Sequence, residues 1–358
     1  MGSMISSSLS SLPSFREFIT LTPKTYAVLV NIFQYFPVVT IAQWLLSYHP
    51  AGKTSLRSSP LNLPGRLAWC LMEIVGPLNL LYTLHASLSG DFSVLPWQNQ
   101  LVGLLYVVHY VNRAVISPWF VAPSMSPIHV FVMVSAMGFN WVNSSCLAGW
   151  VLGYGLDVEG FEGAVSGNGG AYGGAGFGLI PCVGLGLFVV GMVGNIYSER
   201  ALFRLRREEG DKRAAKKGNA SNDHDNKYHK VYVIPPKQGV FRSILYPHYV
   251  FEWIEWFGFA LTGTAIFPAG SGSVNPIAAT ASAAAAVPRI RLAPWLVPAA
   301  VVAEKLRAPL PLSALVFAVN AVANMLPHAR WGRKWYVEKF GEEAVGSRGA
   351  AVPWCPWL

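Results

Sequence analysis

His248, Glu252 and Glu255 fall at i, i+4 and i+7 of an apolar stretch that opens at Pro247, so a helix there carries all three on one face. Two carboxyls and an imidazole on one stripe of a membrane helix are costly unless they line a polar cavity, and they mark a functional site by default. Four other apolar runs are interrupted in the same way. Glu73 lies inside L-A-W-C-L-M-E-I-V-G-P, and Tyr110, Asn112 and Arg113 lie in V-V-H-Y-V-N-R-A-V-I. Asn143 lies in G-F-N-W-V-N-S-S, while Asn195, Ser198 and Glu199 close G-M-V-G-N-I-Y-S-E-R. Each alone is explained by snorkelling at a helix end or by an interhelical hydrogen bond. Five runs that all place polar groups inward imply one polar pocket within a bundle.

The elements that must position these groups follow from composition. The chain has 358 residues, 53% hydrophobic and 13% charged, with mean hydropathy +0.37. Soluble domains carry about 25% charged residues. Apolar runs cover Tyr26–Tyr48, Leu67–Leu88, Leu101–Val121, Ile128–Leu152, Phe177–Tyr197, Ile244–Phe267 and Leu292–Leu326. A span needs roughly 20 such residues, which predicts an all-α integral membrane protein with a bundle of about seven transmembrane helices. Glu304, Lys305 and Arg307 make the last run either one broken span or a span plus a short interfacial piece.

The formal charge of +9 reads as positive-inside bias rather than nucleic-acid binding. His49, Lys53, Arg57 and Arg66 follow the first span; a run from Arg200 to Lys217 follows the fifth; Arg330, Arg333, Lys334 and Lys339 follow the last. Connections after the second and fourth spans carry Asp91, Asp157, Glu159 and Glu162 instead. This alternation predicts a lumenal N-terminus and a cytosolic C-terminus, with Arg289 and Arg291 against the pattern. Residues 200–230 are expected to form a loosely ordered cytosolic excursion. The four cysteines lack metal-ligand spacing and read as buried thiols. No cleaved signal peptide is expected, and the Met1-Gly2…Ser6 myristoylation pattern reads as chance on a lumenal terminus. The glycine-rich stretch 153–178 lacks G-x-G-x-x-G and reads as a flexible non-cytosolic loop, and 269–287 is a second low-complexity stretch. The sequon Asn219-Ala220-Ser221 falls on the cytosolic side and reads as silent.

In chain order the motifs resemble those of the steroid 5-alpha-reductase family, membrane enzymes that reduce a conjugated carbon–carbon double bond with NADPH. The family's L-Q-E-L-P-like segment resembles Leu71-Met72-Glu73-Ile74-Val75, and its H-Y-x-x-R segment is matched by His109–Arg113. Its G-x-N-I-x-S-D…R segment resembles Gly194–Glu199 with Arg206, and its Y-x-I-P-x-G-G-x-F…N-Y-x-x-E-x-x-E-W segment is matched by Tyr232–Trp256. Its final segment resembles Lys334–Phe340 with Ser347-Arg348 and Pro353. The similarity runs from about Leu63 to the C-terminus and is strongest over 244–358. It implies a polar tail at 1–25, then a single transmembrane reductase domain at 26–358 with a cytosolic loop at 198–237. Departures are Met72 for Gln, Glu199 for Asp, His248 for Asn, an extra residue at Pro236-Lys237-Gln238, and His328 and Gly332 where Arg and His often occur.

The resemblance implies an endoplasmic-reticulum enzyme that acts on a lipophilic enone such as a 3-oxo-Δ4-steroid or a related terpenoid. Hydride reaches the β-carbon and negative charge develops on the carbonyl oxygen, where two aimed donors stabilise it. Glu73 and Tyr110 are assigned that role, and Glu73 fills it only when protonated. Arg206, Arg330, Arg333 and Arg348 are the candidate partners of the NADPH phosphates, since guanidinium forks match phosphate geometry. Asn195, Glu199, His248 and Glu252 are assigned to the ribose and nicotinamide amide, and Tyr232 and Tyr336 to packing on a ring. A polyprenal or long-chain enoyl thioester reductase of the same family fits too. So does an isoprenylcysteine-type methyltransferase using S-adenosylmethionine, echoed by Pro247-His248-Tyr249 and Phe340–Glu343; a transporter or structural membrane protein is the non-enzyme alternative. No metal is implied, and the sequence carries no signal of oligomeric state.

Overall fold

The computed structural model describes residues 13–45, 59–161, 177–217, 226–266 and 288–355. Most of the two low-complexity stretches, the myristoylation pattern and the sequon lie outside the described residues. Eight helices carry the bundle: α1 (Pro23–Phe33), α2 (Phe36–Leu45), α3 (Gly65–Ser87), α4 (Trp97–Tyr110), α5 (Val130–Val151), α6 (Leu179–Lys217), α7 (Pro247–Thr262) and α8 (Leu312–Phe340). The four strands among the described residues are two residues each and pair β1 (Asn62–Leu63) antiparallel with β2 (Ile128–His129) and β3 (Asp157–Val158) parallel with β4 (Arg289–Ile290). They clip loops together at the ends of the bundle.

Six helical segments among the described residues are long and apolar enough to cross a membrane: α1 with α2, α3, α4 with its continuation to Val121, α5, α6 and α8. The sixth expected span, Ile244–Phe267, is α-helical only as α7, whose 16 residues reach about 24 Å, followed by a 3-10 turn at Gly263–Ala265. The helix is shorter than the hydrocarbon layer of about 30 Å and sits inside the bundle, with Trp256 and Phe259 fully enclosed. The expected run Leu292–Leu326 is divided between two helices. A short helix at Val297–Lys305 is separated from α8, because Pro309 and Pro311 lack the N–H that a continuous ladder requires.

The expected loop at 198–237 is corrected at its start, since α6 continues to Lys217 without a break. Arg, Glu, Ala and Lys are strong helix formers, and Glu209 pairs with Arg213 one turn on at 2.7 Å. The irregular part begins at Asn226 among the described residues.

The most extensive contact in the bundle is α6 against α7. Its cause is a seam of small residues that lets two backbones touch. A Cβ on Gly191 would lie 2.4 Å from the Glu255 nitrogen, and one on Gly258 would lie 2.4 Å from the Phe188 nitrogen. This seam fixes the depth of Glu252 and Glu255 relative to Asn195. Past Tyr110, α4 rewinds into a π-helix over Val111–Val121, a rare form that is frequent at functional sites. Arg66 closes its end by donating to the carbonyls of Pro118 and Ala122, a cation placed where a helix C-terminus favours one.

Candidate active site

The polar groups of α3, α4, its π-helical extension, α5, α6 and α7 converge on one buried cluster. Arg113, from the π-helix, lies between two carboxyls: its Nε is 3.4 Å from Glu73 Oε1 and its Nη1 is 3.3 Å from Glu252 Oε2. The Arg113 guanidinium also covers the Trp69 ring at 5.0 Å. Asn195 donates from Nδ2 to Glu252 Oε2 at 3.0 Å and to the His248 carbonyl at 3.1 Å. One π-helical turn beyond Arg113, Ser117 donates to Glu199 Oε2 at 2.6 Å.

Two further pairings extend this set. His109 Nδ1 lies 2.7 Å from Glu255 Oε1, with both side chains buried. Tyr110 donates its hydroxyl to Asn140 Oδ1 at 3.1 Å. The Asn140 amide donates to the Met72 carbonyl at 2.7 Å and faces Glu73 Oε2 at 3.5 Å. An aromatic wall closes the cluster on one side, where Trp256 stands 4.4 Å from the His109 ring and 4.4 Å from the Phe317 ring. Tyr106 packs on Tyr110 at 4.6 Å.

A narrow cavity opens into the cluster, lined by Asn112, Arg113, Asn195, Glu199 and Glu255 among others. Glu255 Oε2 is buried with no hydrogen-bond partner among the described residues. A buried carboxylate oxygen without a donor costs free energy, so this side of the cavity is shaped for a ligand that brings one. Carboxyls and primary amides can hold the hydroxyls of a ribose and the carboxamide of a nicotinamide, so the residues present fit the inner end of a dinucleotide.

The basic end is built differently. Arg206 donates from Nε to the Val231 carbonyl at 3.1 Å and from Nη2 to Ser124 Oγ at 2.6 Å. Tyr232 and Tyr336 lie close enough to Arg206 to feel its charge, and Lys339 covers Tyr232 at 5.2 Å. Arg348 is buried and donates to the carbonyls of Val345, Pro235, Phe241 and Ala344. Burial lowers its pKa, and a guanidinium stays charged regardless. Arg333 donates to the Arg348 carbonyl at 2.8 Å. Arg330 stands apart, exposed, over the Trp44 ring at 5.4 Å.

The strip Tyr232–Trp256 is thus an irregular strap followed by α7, and the C-terminal segment holds the strap in place. Leu245 and Tyr246 donate to the carbonyls of Gly349 and Ala350, and Gly349 donates back to Ser243. Gly332 is needed there, since a Cβ would lie 1.6 Å from Tyr246 Oη. The His248 ring stands 5.6 Å from Tyr246 and 4.7 Å from Tyr249, so it joins the strap while its carbonyl joins the cluster.

Of the residues expected from sequence, Glu73, Tyr110, Asn195, Glu199 and Glu252 come together in the cluster. Asn140 and Ser117 were missed, and His109, matched in the H-Y-x-x-R segment, was given no role. Asn140 lies one turn before Asn143 on the same face, a spacing that a search for paired polar residues would have found. Ser117 leaves no such signal, because π-winding changes the register after Tyr110.

No family model matches the chain. Curated relatives do. Steroid 5-alpha-reductase DET2 of Arabidopsis thaliana is 25% identical over 333 residues, 92% of this chain and 95% of that protein. The 3-oxo-5-alpha-steroid 4-dehydrogenase 1 of Mus musculus is 23% identical over 304 residues, 84% of this chain and 86% of that one. Over most of its length the chain is thus similar to proteins named as steroid 5-alpha-reductases. An uncharacterized protein of Schizosaccharomyces pombe is 28% identical over 247 residues, 65% of this chain and 80% of its own length. The likeness to the steroid reductases covers every helix of the cluster, and with the apolar helices it marks the chain as an integral membrane protein.

Proposed function

We propose that this protein reduces a conjugated carbon–carbon double bond in a lipophilic enone, with NADPH as reductant. The observation that carries this reading is the junction of Glu73 and Tyr110 at Asn140, next to the Asn195–Glu252 pair and within one buried cluster. The relatives named as steroid reductases add to it by covering most of the chain.

Bound NADPH would supply the hydride. Glu73, in its protonated form, and Tyr110 hold the substrate carbonyl and stabilise the negative charge that develops on its oxygen. One such donor in a dry site is worth about 3 kcal/mol of transition-state energy. Asn195, Glu199 and Glu252 hold the ribose and carboxamide of the cofactor, and Arg113 keeps two of the cluster's carboxyls in place. Arg206 and Arg333 face the phosphates at the basic end, with Tyr232 and Tyr336 packed beside them. The proton added at the α-carbon comes from water or from Tyr110 through a relay. A steroid-like or terpenoid enone enters from the bilayer. We place the basic end and the C-terminus on the cytosolic side of the endoplasmic reticulum, from the positive-inside rule.

Membranes that contain the protein should oxidise NADPH when given an enone from a panel of steroid enones, polyprenal and enoyl thioesters. Turnover of polyprenal or the thioester alone would move the substrate class. Binding of S-adenosylmethionine without NADPH oxidation would overturn the reductase reading.

A further inference from the structure

Asn140 lies on α5, buried, and touches both groups assigned to the substrate carbonyl. Its orientation is fixed by chemistry. The Met72 carbonyl, 2.7 Å away, can only accept, so the amide nitrogen points to Met72 and Glu73 and the oxygen to Tyr110. A tyrosine hydroxyl has one hydrogen to donate, and here it is given to Asn140. The Tyr110 ring is held by Tyr106 at 4.6 Å and by Trp256 at 6.4 Å. Only the hydroxyl hydrogen needs to turn for Tyr110 to donate elsewhere.

We infer that Asn140 is a positioning residue for the reaction: it holds the Tyr110 hydroxyl in readiness and orients the Glu73 carboxyl, so that both donors converge on one carbonyl oxygen. The inference rests on the enone-reductase reading above. When the substrate carbonyl arrives, the Tyr110 hydrogen moves from Asn140 Oδ1 to the substrate oxygen. The Asn140 nitrogen meanwhile keeps Glu73 from swinging wholly to Arg113, its partner on the other side.

The two ends can be separated by substitution in the full-length protein in membranes, varying NADPH and the enone that the wild type turns over best in turn. Asn140→Asp keeps the shape and the acceptor for Tyr110; ionised, it has no hydrogen for Met72 or Glu73. Asn140→Leu removes both ends. Both should lower kcat about 100-fold at neutral pH, the scale of a misplaced catalytic group, while KM for NADPH stays within about 2-fold. As pH falls, the introduced carboxyl regains a proton and can donate again, so Asn140→Asp should recover about 10-fold relative to wild type; Asn140→Leu should not. Wild-type kcat in Asn140→Asp at neutral pH, or a loss that ignores pH, would overturn the inference. Should that variant fail to bind NADPH by nicotinamide fluorescence, Asn140→Ser takes its place, and a kcat no higher than that of Asn140→Leu overturns it. A wild type inactive on every enone defeats the reductase reading and this inference with it. An active wild type with unaffected variants defeats the positioning role alone.

Discussion

Arginine does different work in the two polar regions of this molecule. In the interior, Arg113 lies between the carboxyls of Glu73 and Glu252, and its partners are side chains from other helices. At the basic end, Arg66, Arg207 and Arg348 donate to main-chain carbonyls. A charged group among side chains can exchange partners when a ligand arrives. One that satisfies carbonyls closes loops and helix ends, and removing it leaves buried acceptors unpaired. Arg206 stands between the two cases, with one carbonyl and one hydroxyl as partners and five donors in its fork.

The largest effect expected from this contrast belongs to the interior. Glu73→Leu, which has no hydrogen to donate, should lower turnover by about 100-fold or more, the loss seen when one transition-state donor is removed, and leave NADPH affinity nearly unchanged. Steady-state kinetics with both substrates varied separates the two. An equal loss in both would make Glu73 a structural partner of Arg113 and erase the difference between the regions. Next comes Arg348→Ala, which leaves four carbonyls without their donor and should destabilise the protein by about 3 kcal/mol, the scale of a buried charged hydrogen-bond set. Thermal melting of the solubilised protein reads it. Unchanged melting with weakened NADPH binding would make Arg348 a phosphate partner and break the comparison. Arg206→Ala should then raise KM for NADPH about 10-fold, with a smaller change for NADH, as loss of one phosphate contact would. An equal effect on both cofactors would remove Arg206 from the 2′-phosphate.

Much of the interior was legible because a polar residue inside an apolar run is conspicuous. Glu73, Tyr110, Asn195 and Glu252 each broke a hydrophobic pattern, and the fold brings all four together. Their partners were harder to read. The π-helix after Tyr110 has no clear signature in V-N-R-A-V-I-S-P-W-F-V, so Ser117 could not be aligned with Glu199. At the basic end, charge was legible but its partners were not. Nothing in the sequence near Arg348 announces that carbonyls at Pro235 and Phe241, more than 100 positions earlier, will lie beside it. The extent of α6 was misjudged for a related reason. Polar composition alone suggested a loop, whereas alternating Arg and Glu also make a good exposed helix.

The smallest effect should come from Arg330, which sequence reading grouped with Arg206, Arg333 and Arg348. It is exposed and lies over Trp44 of α2, on the part of α8 where Trp331 also donates to the Gln43 carbonyl at 3.4 Å. Arg333 and Tyr336 meet other partners, with Arg333 against the C-terminal segment and Tyr336 near Arg206 and Arg348. Residues three apart on an α-helix are only about 60° apart, so it is their partners, Trp44 for one and the Arg348 carbonyl for the other, that separate Arg330 from Arg333. Arg330→Ala should therefore change KM for NADPH by less than about 2-fold and cost about 0.5–1 kcal/mol of stability from the lost contact with Trp44. A tenfold rise in KM for NADPH with unchanged melting would instead bring Arg330 to the phosphates.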